Sequence, residues 1–303
     1  MGGNGVRVPH FVIALAYLLS SLAIPSVSYA ADLKPYPLPP AARADIEKLA
    51  ASSNVLILGE THGTQEVPEL TASLLEPLAK LDYHILAIEV PNKEQASLLA
   101  WAHGKTERVP DFFANPSGDG RGNAQLLSLV RIAVSPPFRW QVICFDDTES
   151  MLEQQRLILM QKKPTGGAEA PQLTAEDGIA LWRARDAAMA ANLLRETKSL
   201  KTTSKILAVC GNLHARVTND MQDPDLSKLW PSFAGMLKQG QPAWRVSSVN
   251  IEFYRGAFFN EGKVRTIQGR PLEHAVVRSA DQTGWNLELS LPEATPATFH
   301  FSK

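Results

Sequence analysis

Four apolar runs punctuate the chain up to residue 211: "NVLILG" (54–59), "HILAIEV" (84–90), "WQVICF" (140–145) and "KILAVCG" (205–211). Each is short, rich in Ile, Val and Leu, and lacks the alternation of a strand with one wet face. Strands buried on both faces of a parallel sheet read this way. Between the runs the period becomes helical. Val67, Leu70, Leu74, Leu78 and Leu81 recur on one face. "PPAARADIEKLAAS" opens a helix on proline, "NKEQASLLAWAHG" and "NAQLLSLVRIAV" supply two more, and residues 175–200 form the longest. Strands alternating with helices predict an α/β fold, a mainly parallel sheet flanked by helices. After about residue 244 "RVSSVNIEFYR", "KVRTIQ" and "WNLELSL" read as strands without helices between them, extending the sheet as antiparallel C-terminal strands. "PDFFANPSGDGRGN" (110–123) and "KKPTGGAEAPQ" (162–172) read as exposed connections.

Polar residues follow each buried run. The first ends at Glu60 and His62, the second at Glu89, the third at Asp146 and Asp147, and the fourth at Asn212 and His214. In an open parallel sheet all carboxyl ends share one edge, and ligands bind in the crevice there. Glu89 is preceded by "ILAI", so its carboxylate needs a partner to offset desolvation. Asp146 and Asp147 open "DDTES", which reads as a helix cap with charges suited to the helix dipole. On the longest helix Ile179, Trp182, Met189 and Leu193 form an apolar stripe with Asp186 inside it and Arg185 and Asn192 at its margin. A carboxylate on that face must meet a donor: either Arg185 beside it, or a group across the interface. Glu66, in the same turn as Glu60 and His62, joins Arg185, Asp186 and Asn192 as a candidate substrate-binding group.

Composition narrows the field. The formal net charge is -1 over 303 residues, with 45% hydrophobic residues. That supports a real core and offers no basic footprint for nucleic acid. "FVIALAYLLSSLAI" followed by "SVSYA" reads as a signal peptide over residues 1–30, cleaved after Ala30. The expected product is a single α/β domain over residues 31–303, periplasmic or secreted, with no stable membrane anchor. Cys144 and Cys210 lie in apolar runs and read as buried thiols, or as a disulfide if their strands bring the two sulfurs within bonding reach. No G-x-S-x-G elbow, Walker loop or H-E-x-x-H is present.

In order, "LGETHGTQE", "LAIEV", "ARDAAMAANLL" and "GNLHARV" resemble the signature segments of the erythromycin esterase, ChaN and Tiki superfamily. The resemblance covers roughly residues 50 to 220 and implies an EreA/ChaN-like domain. It places Glu60, His62 and Glu89 at acidic and histidine site positions. His214 falls at the last position of a second histidine motif, and Arg185 and Asp186 in a helix motif. The chain departs from the esterase branch at Gly211, where a histidine is usual, which counts against macrolide esterase activity specifically. The implied function is an exported hydrolase that activates water and takes a small-molecule or peptide substrate of ester or amide class. His62 would be the base, oriented by Glu60 or Glu89. His214 would protonate the leaving group or stabilise developing charge, and Arg185 would anchor substrate or balance an oxyanion. A divalent metal on the two histidines and two carboxylates is compatible with this. The alternatives are a ChaN-like haem-binding protein of iron uptake and a scaffold that binds without catalysis.

Overall fold

The computed structural model describes residues 33–114, 118–161, 172–200, 203–220, 223–280 and 283–300. The leader expected over residues 1–30 and nearly all of the connection at 162–172 lie outside them. Nine strands are present among the described residues: β1 (Val55–Glu60), β2 (Tyr83–Pro91), β3 (Gln141–Asp146), β4 (Lys205–Gly211), β5 (Val246–Phe253), β6 (Gly256–Asn260), β7 (Lys263–Ile267), β8 (Val276–Ser279) and β9 (Leu287–Leu291). The helices are α1 (Pro40–Ala51), α2 (Glu66–Ala79), α3 (Gln95–Ala102), α4 (Asp111–Ala114), α5 (Ala124–Val134), α6 (Thr148–Gln161), α7 (Ala175–Leu200), α8 (Pro224–Ser227) and α9 (Phe233–Gly240).

Seven strands form one sheet in the order β3-β2-β4-β1-β5-β9-β8, and β6 and β7 pair separately. The apolar runs lack alternation because both faces are covered. Leu56, Leu58, Leu86 and Ile88 pack with Ile46 of α1, Leu70 and Leu74 of α2, and Leu127 of α5. Val55, Ile57, Ile85 and Ala87 pack on the other face with Met189 and Leu193 of α7 and Phe233 and Leu237 of α9. Cys144 belongs to the first cluster and Cys210 to the second, and both thiols are free and buried.

The C-terminal strands differ in detail from expectation. β8 is antiparallel to β9, but β5 runs parallel to β1 and β9 runs parallel to β5. The crossover that allows β5 to run parallel is α9, a helix too short to show a period in the sequence. Its N-terminus is capped by Ser232, whose hydroxyl accepts the Gly235 N–H at 3.1 Å.

"KVRTI" is no part of the main sheet. It pairs antiparallel with β6, register Phe258↔Arg265. The hairpin is tied to the turn after β1: Phe259 N–H donates to the Gly63 carbonyl at 3.0 Å, and Ala297 N–H to the same oxygen at 2.9 Å. Among the described residues no helix is long and apolar enough to cross a membrane.

Gly63 has φ +79, and an added Cβ would lie 1.9 Å from the Phe259 carbonyl oxygen. Gly262 also has positive φ, +73, but an added Cβ there meets nothing within 4 Å. Gly262→Ala should therefore cost about 1 kcal/mol of backbone strain. Gly63→Ala should cost about 1–3 kcal/mol more, through overlap with the hairpin. Urea denaturation of the two variants checks the ranking; equal losses would mean that the hairpin does not press on this turn.

Candidate active site

β3, β2, β4 and β1 are neighbours, so their carboxyl ends bring Asp146, Glu89, Gly211 and Glu60 side by side. They open on a crevice of about 380 Å³ whose lining includes His62, Glu89, Arg121, Trp182, Arg185 and His214, with Phe258 and Asn260 supplied by the hairpin.

Glu89 is the hub and is 4% exposed. Its Oε1 accepts from Arg185 Nη2 at 2.6 Å and Arg121 Nη1 at 3.2 Å, and its Oε2 accepts the Gly211 N–H at 2.7 Å. Burial pushes its carboxyl up. Arg185, then His62, His214 and Arg121, more than offset this and hold it well below the usual carboxylate range. Asp146 closes the arrangement: it accepts from Arg185 Nε at 2.8 Å, from Arg121 Nη1 at 2.6 Å, and from the Thr148 hydroxyl. Two buried carboxylates and two guanidiniums thus satisfy one another at the floor of the crevice.

Two readings of the sequence change here. Asp146 is not a helix cap; only Asp147 is, accepting the Ser150 N–H at 3.1 Å. The segment around "GDGRGN" is not a plain exposed connection, because it delivers Arg121, 6% exposed, into the floor. Asp119 steadies that side chain, accepting from its Nε at 2.8 Å.

His62 projects from the turn after β1. Its Nδ1 lies 2.9 Å from Glu60 Oε1, and its Nε2 lies 3.7 Å from Glu89 Oε2. An ionised carboxylate only accepts, so Nδ1 carries the proton and Nε2 presents its lone pair to the crevice. Burial lowers the imidazole's proton affinity. The charges of Glu89 and Glu60 outweigh it, and the pKa is raised above the ordinary histidine value. A Cβ on residue 211 would sit 3.0 Å from His62 Nε2 and 3.4 Å from His214 Cδ2, so glycine leaves the gap between the rings open.

His214 sits deeper, 2% exposed. Its Nδ1 is hydrogen-bonded to Asp186 Oδ1, its Nε2 lies 3.2 Å from Arg185 Nη1, and its ring stacks on Trp182 at 4.4 Å. Arg185 and Asp186 therefore do not pair with each other; each reaches a partner from a different strand end. Burial pushes the Asp186 carboxyl up, and His214 draws it part of the way back.

The remaining candidates lie away from the crevice. The Glu66 carboxylate accepts the Thr295 N–H at 3.0 Å and fastens the C-terminal segment to α2. Asn192 donates to the Phe145 carbonyl at 3.2 Å and accepts from Arg195 at 2.8 Å, bracing α7 against β3. Arg121 carried no sequence signal beyond a charge between glycines. Asp146 did, because it follows "VICF" as Glu89 follows "ILAI".

The donor set does not suit a metal. Glu89 and Asp146 are engaged by guanidiniums, and no group of three or more His, Cys, Asp or Glu among the described residues could hold an ion. For haem, both His214 nitrogens already have partners, which leaves His62 Nε2 as the open imidazole nitrogen of the crevice, and the lining carries Glu60, Asp119, Arg121 and Arg185 where a porphyrin needs an apolar face.

Comparison with solved structures finds a succinoglycan biosynthesis protein at TM-score 0.59 and 11% identity, covering 88% of this chain and 94% of that one. A mutant of erythromycin esterase EreC in its open conformation aligns at TM-score 0.56 and 12% identity, covering 90% and 98%. This chain shares the erythromycin esterase fold. A Bacillus cereus protein aligns with the same arrangement at TM-score 0.51 and 13% identity, covering 88% and 96%. Comparison with family models and with curated proteins finds no match. At these identities the likeness is one of fold, and it agrees with the architecture implied by the order of the sequence motifs.

Glu89→Gln removes a buried charge facing two guanidiniums, which should cost about 3–5 kcal/mol of stability. A loss below about 1 kcal/mol in denaturant titration would show that the floor does not depend on this carboxylate.

Proposed function

We propose that the chain is a hydrolase that uses His62 to activate water against an ester or amide bond of a small molecule. The observation that carries this reading is the Glu60–His62 pair, 2.9 Å apart, with the imidazole Nε2 turned into the crevice above Glu89. The fold shared with an esterase and the size of the crevice support the substrate class. The leader read over residues 1–30 supports a periplasmic or secreted location.

In this mechanism Nε2 takes a proton from water as the oxygen attacks the carbonyl carbon. Glu60 keeps the ring in the tautomer that can accept, and stabilises the imidazolium that forms. Collapse of the tetrahedral species breaks the bond to the leaving group, which takes the proton back from Nε2. Arg185, held in the crevice floor, contributes the positive field that favours the oxyanion. Glu89 adds a second negative charge near the imidazolium, so the ring holds its proton until the leaving group needs it.

His62→Asn should lower turnover of a responsive ester by about 10²–10⁴-fold. Because the base must start unprotonated, wild-type turnover should rise with pH through a value above the ordinary histidine pKa of about 6.5. Glu60→Gln removes a charge that holds the proton, so the rise should move to lower pH. The test is a panel of simple aryl and alkyl esters, with amides beside them. Full turnover by His62→Asn on any substrate the wild type cleaves would refute the assignment.

A further inference from the structure

The two imidazoles of the crevice look alike in sequence, each a few residues past the end of a buried strand. Their surroundings set them apart. A guanidinium has only N–H donors and stays protonated throughout the accessible pH range. Arg185 Nη1 lies 3.2 Å from His214 Nε2, so that nitrogen must be the acceptor. The other nitrogen, Nδ1, is hydrogen-bonded to the Asp186 carboxylate. Its proton therefore sits on Nδ1. Trp182 covers one face of the ring at 4.4 Å, with the planes 7° apart, and only 2% of the residue is exposed.

We infer that His214 is a positioning residue: Asp186 fixes its proton on Nδ1, and its Nε2 lone pair orients Arg185 toward Glu89 and Asp146. This rests on the hydrolase reading for its functional meaning, and it removes the leaving-group acid role that the sequence resemblance offers His214. His214 has no proton on the nitrogen nearest the reacting groups, so it does not protonate the leaving group. His62 takes the proton and returns it. Arg185 is the beneficiary: its Nε meets Asp146 at 2.8 Å and its Nη2 meets Glu89 at 2.6 Å, while His214 holds the third corner of the fork. Without an acceptor at that corner the guanidinium can turn in its plane.

The test needs no substrate. Nitrogen-15 NMR of the imidazoles in the intact wild-type protein reports which ring nitrogen carries the proton in the neutral form. The inference predicts the Nδ1–H form for His214. The Nε2–H form would overturn it, whatever the enzyme assays give. Substitution supplies a second readout. His214→Gln offers a carbonyl oxygen to Arg185 and should retain turnover to within about tenfold. His214→Phe keeps the stack on Trp182 but offers no acceptor, and should lose about 10–100-fold. The rise of rate with pH should be unchanged in His214→Gln. A rise that moves with this substitution would make His214 a proton carrier and contradict the assignment. Absence of any hydrolysis in the wild type would sink the hydrolase reading and leave the NMR result to stand alone.

Discussion

A single carboxylate, Glu89, is the point on which this arrangement turns. It is ionised, almost fully buried, and placed where β2 leaves the sheet, so its desolvation has to be offset locally. Two guanidiniums and a backbone N–H do so on its two oxygens. Each of those partners comes from a different part of the chain: Arg185 from α7, Arg121 from the segment before α5, and Gly211 from the end of β4. The demand of one buried charge therefore gathers elements that the topology alone would only bring near.

The consequences spread outward from that hub. Arg121 and Arg185 each have more donors than Glu89 can accept, and Asp146 takes up the excess. Arg185 reaches His214, and His214 reaches Asp186 Oδ1, so the stripe of α7 that looks miscast as an apolar face carries a chain of polar contacts, with Asp186 Oδ2 left without a hydrogen-bond partner among the described residues. On the other side, Glu89 faces His62 across 3.7 Å, too far for a hydrogen bond and close enough to favour the protonated ring. The β6–β7 hairpin, seated on Gly63, walls the crevice with Phe258 and Asn260. Structural and chemical roles thus divide by depth: the floor is saturated with ion pairs, and the Glu60–His62 pair above it is the part left open to a substrate.

Much of this was legible in the residues. Runs without alternation announced strands covered on both faces, and the polar groups after each run announced the edge where they would meet. Glu89 was legible because a carboxylate after "ILAI" has no cheap place to go. The same reasoning applied to "VICFD" would have found Asp146, but the following "DTES" offered a sufficient local explanation in the helix cap, and the cap belongs to Asp147 alone. Arg121 was not legible. It sits between glycines in a segment without period, and only the tertiary packing shows that the segment turns inward. The parallel direction of β5 was hidden for a related reason, since its crossover helix spans two turns and carries too few apolar positions to register. Glu66 and Asn192 show the converse: polar residues beside a site motif whose work is to fasten one element to another.

Negative charge at buried Glu89 and half-buried Glu60 keeps the His62 imidazole protonated beyond its ordinary range, and the crevice chemistry follows from it. Proton NMR titration of His62 in the wild type and in Glu89→Gln measures this directly. The account predicts a wild-type midpoint above the usual histidine value of about 6.5 and a fall when the Glu89 charge is removed. A wild-type midpoint at or below that value, unmoved by the substitution, would contradict it.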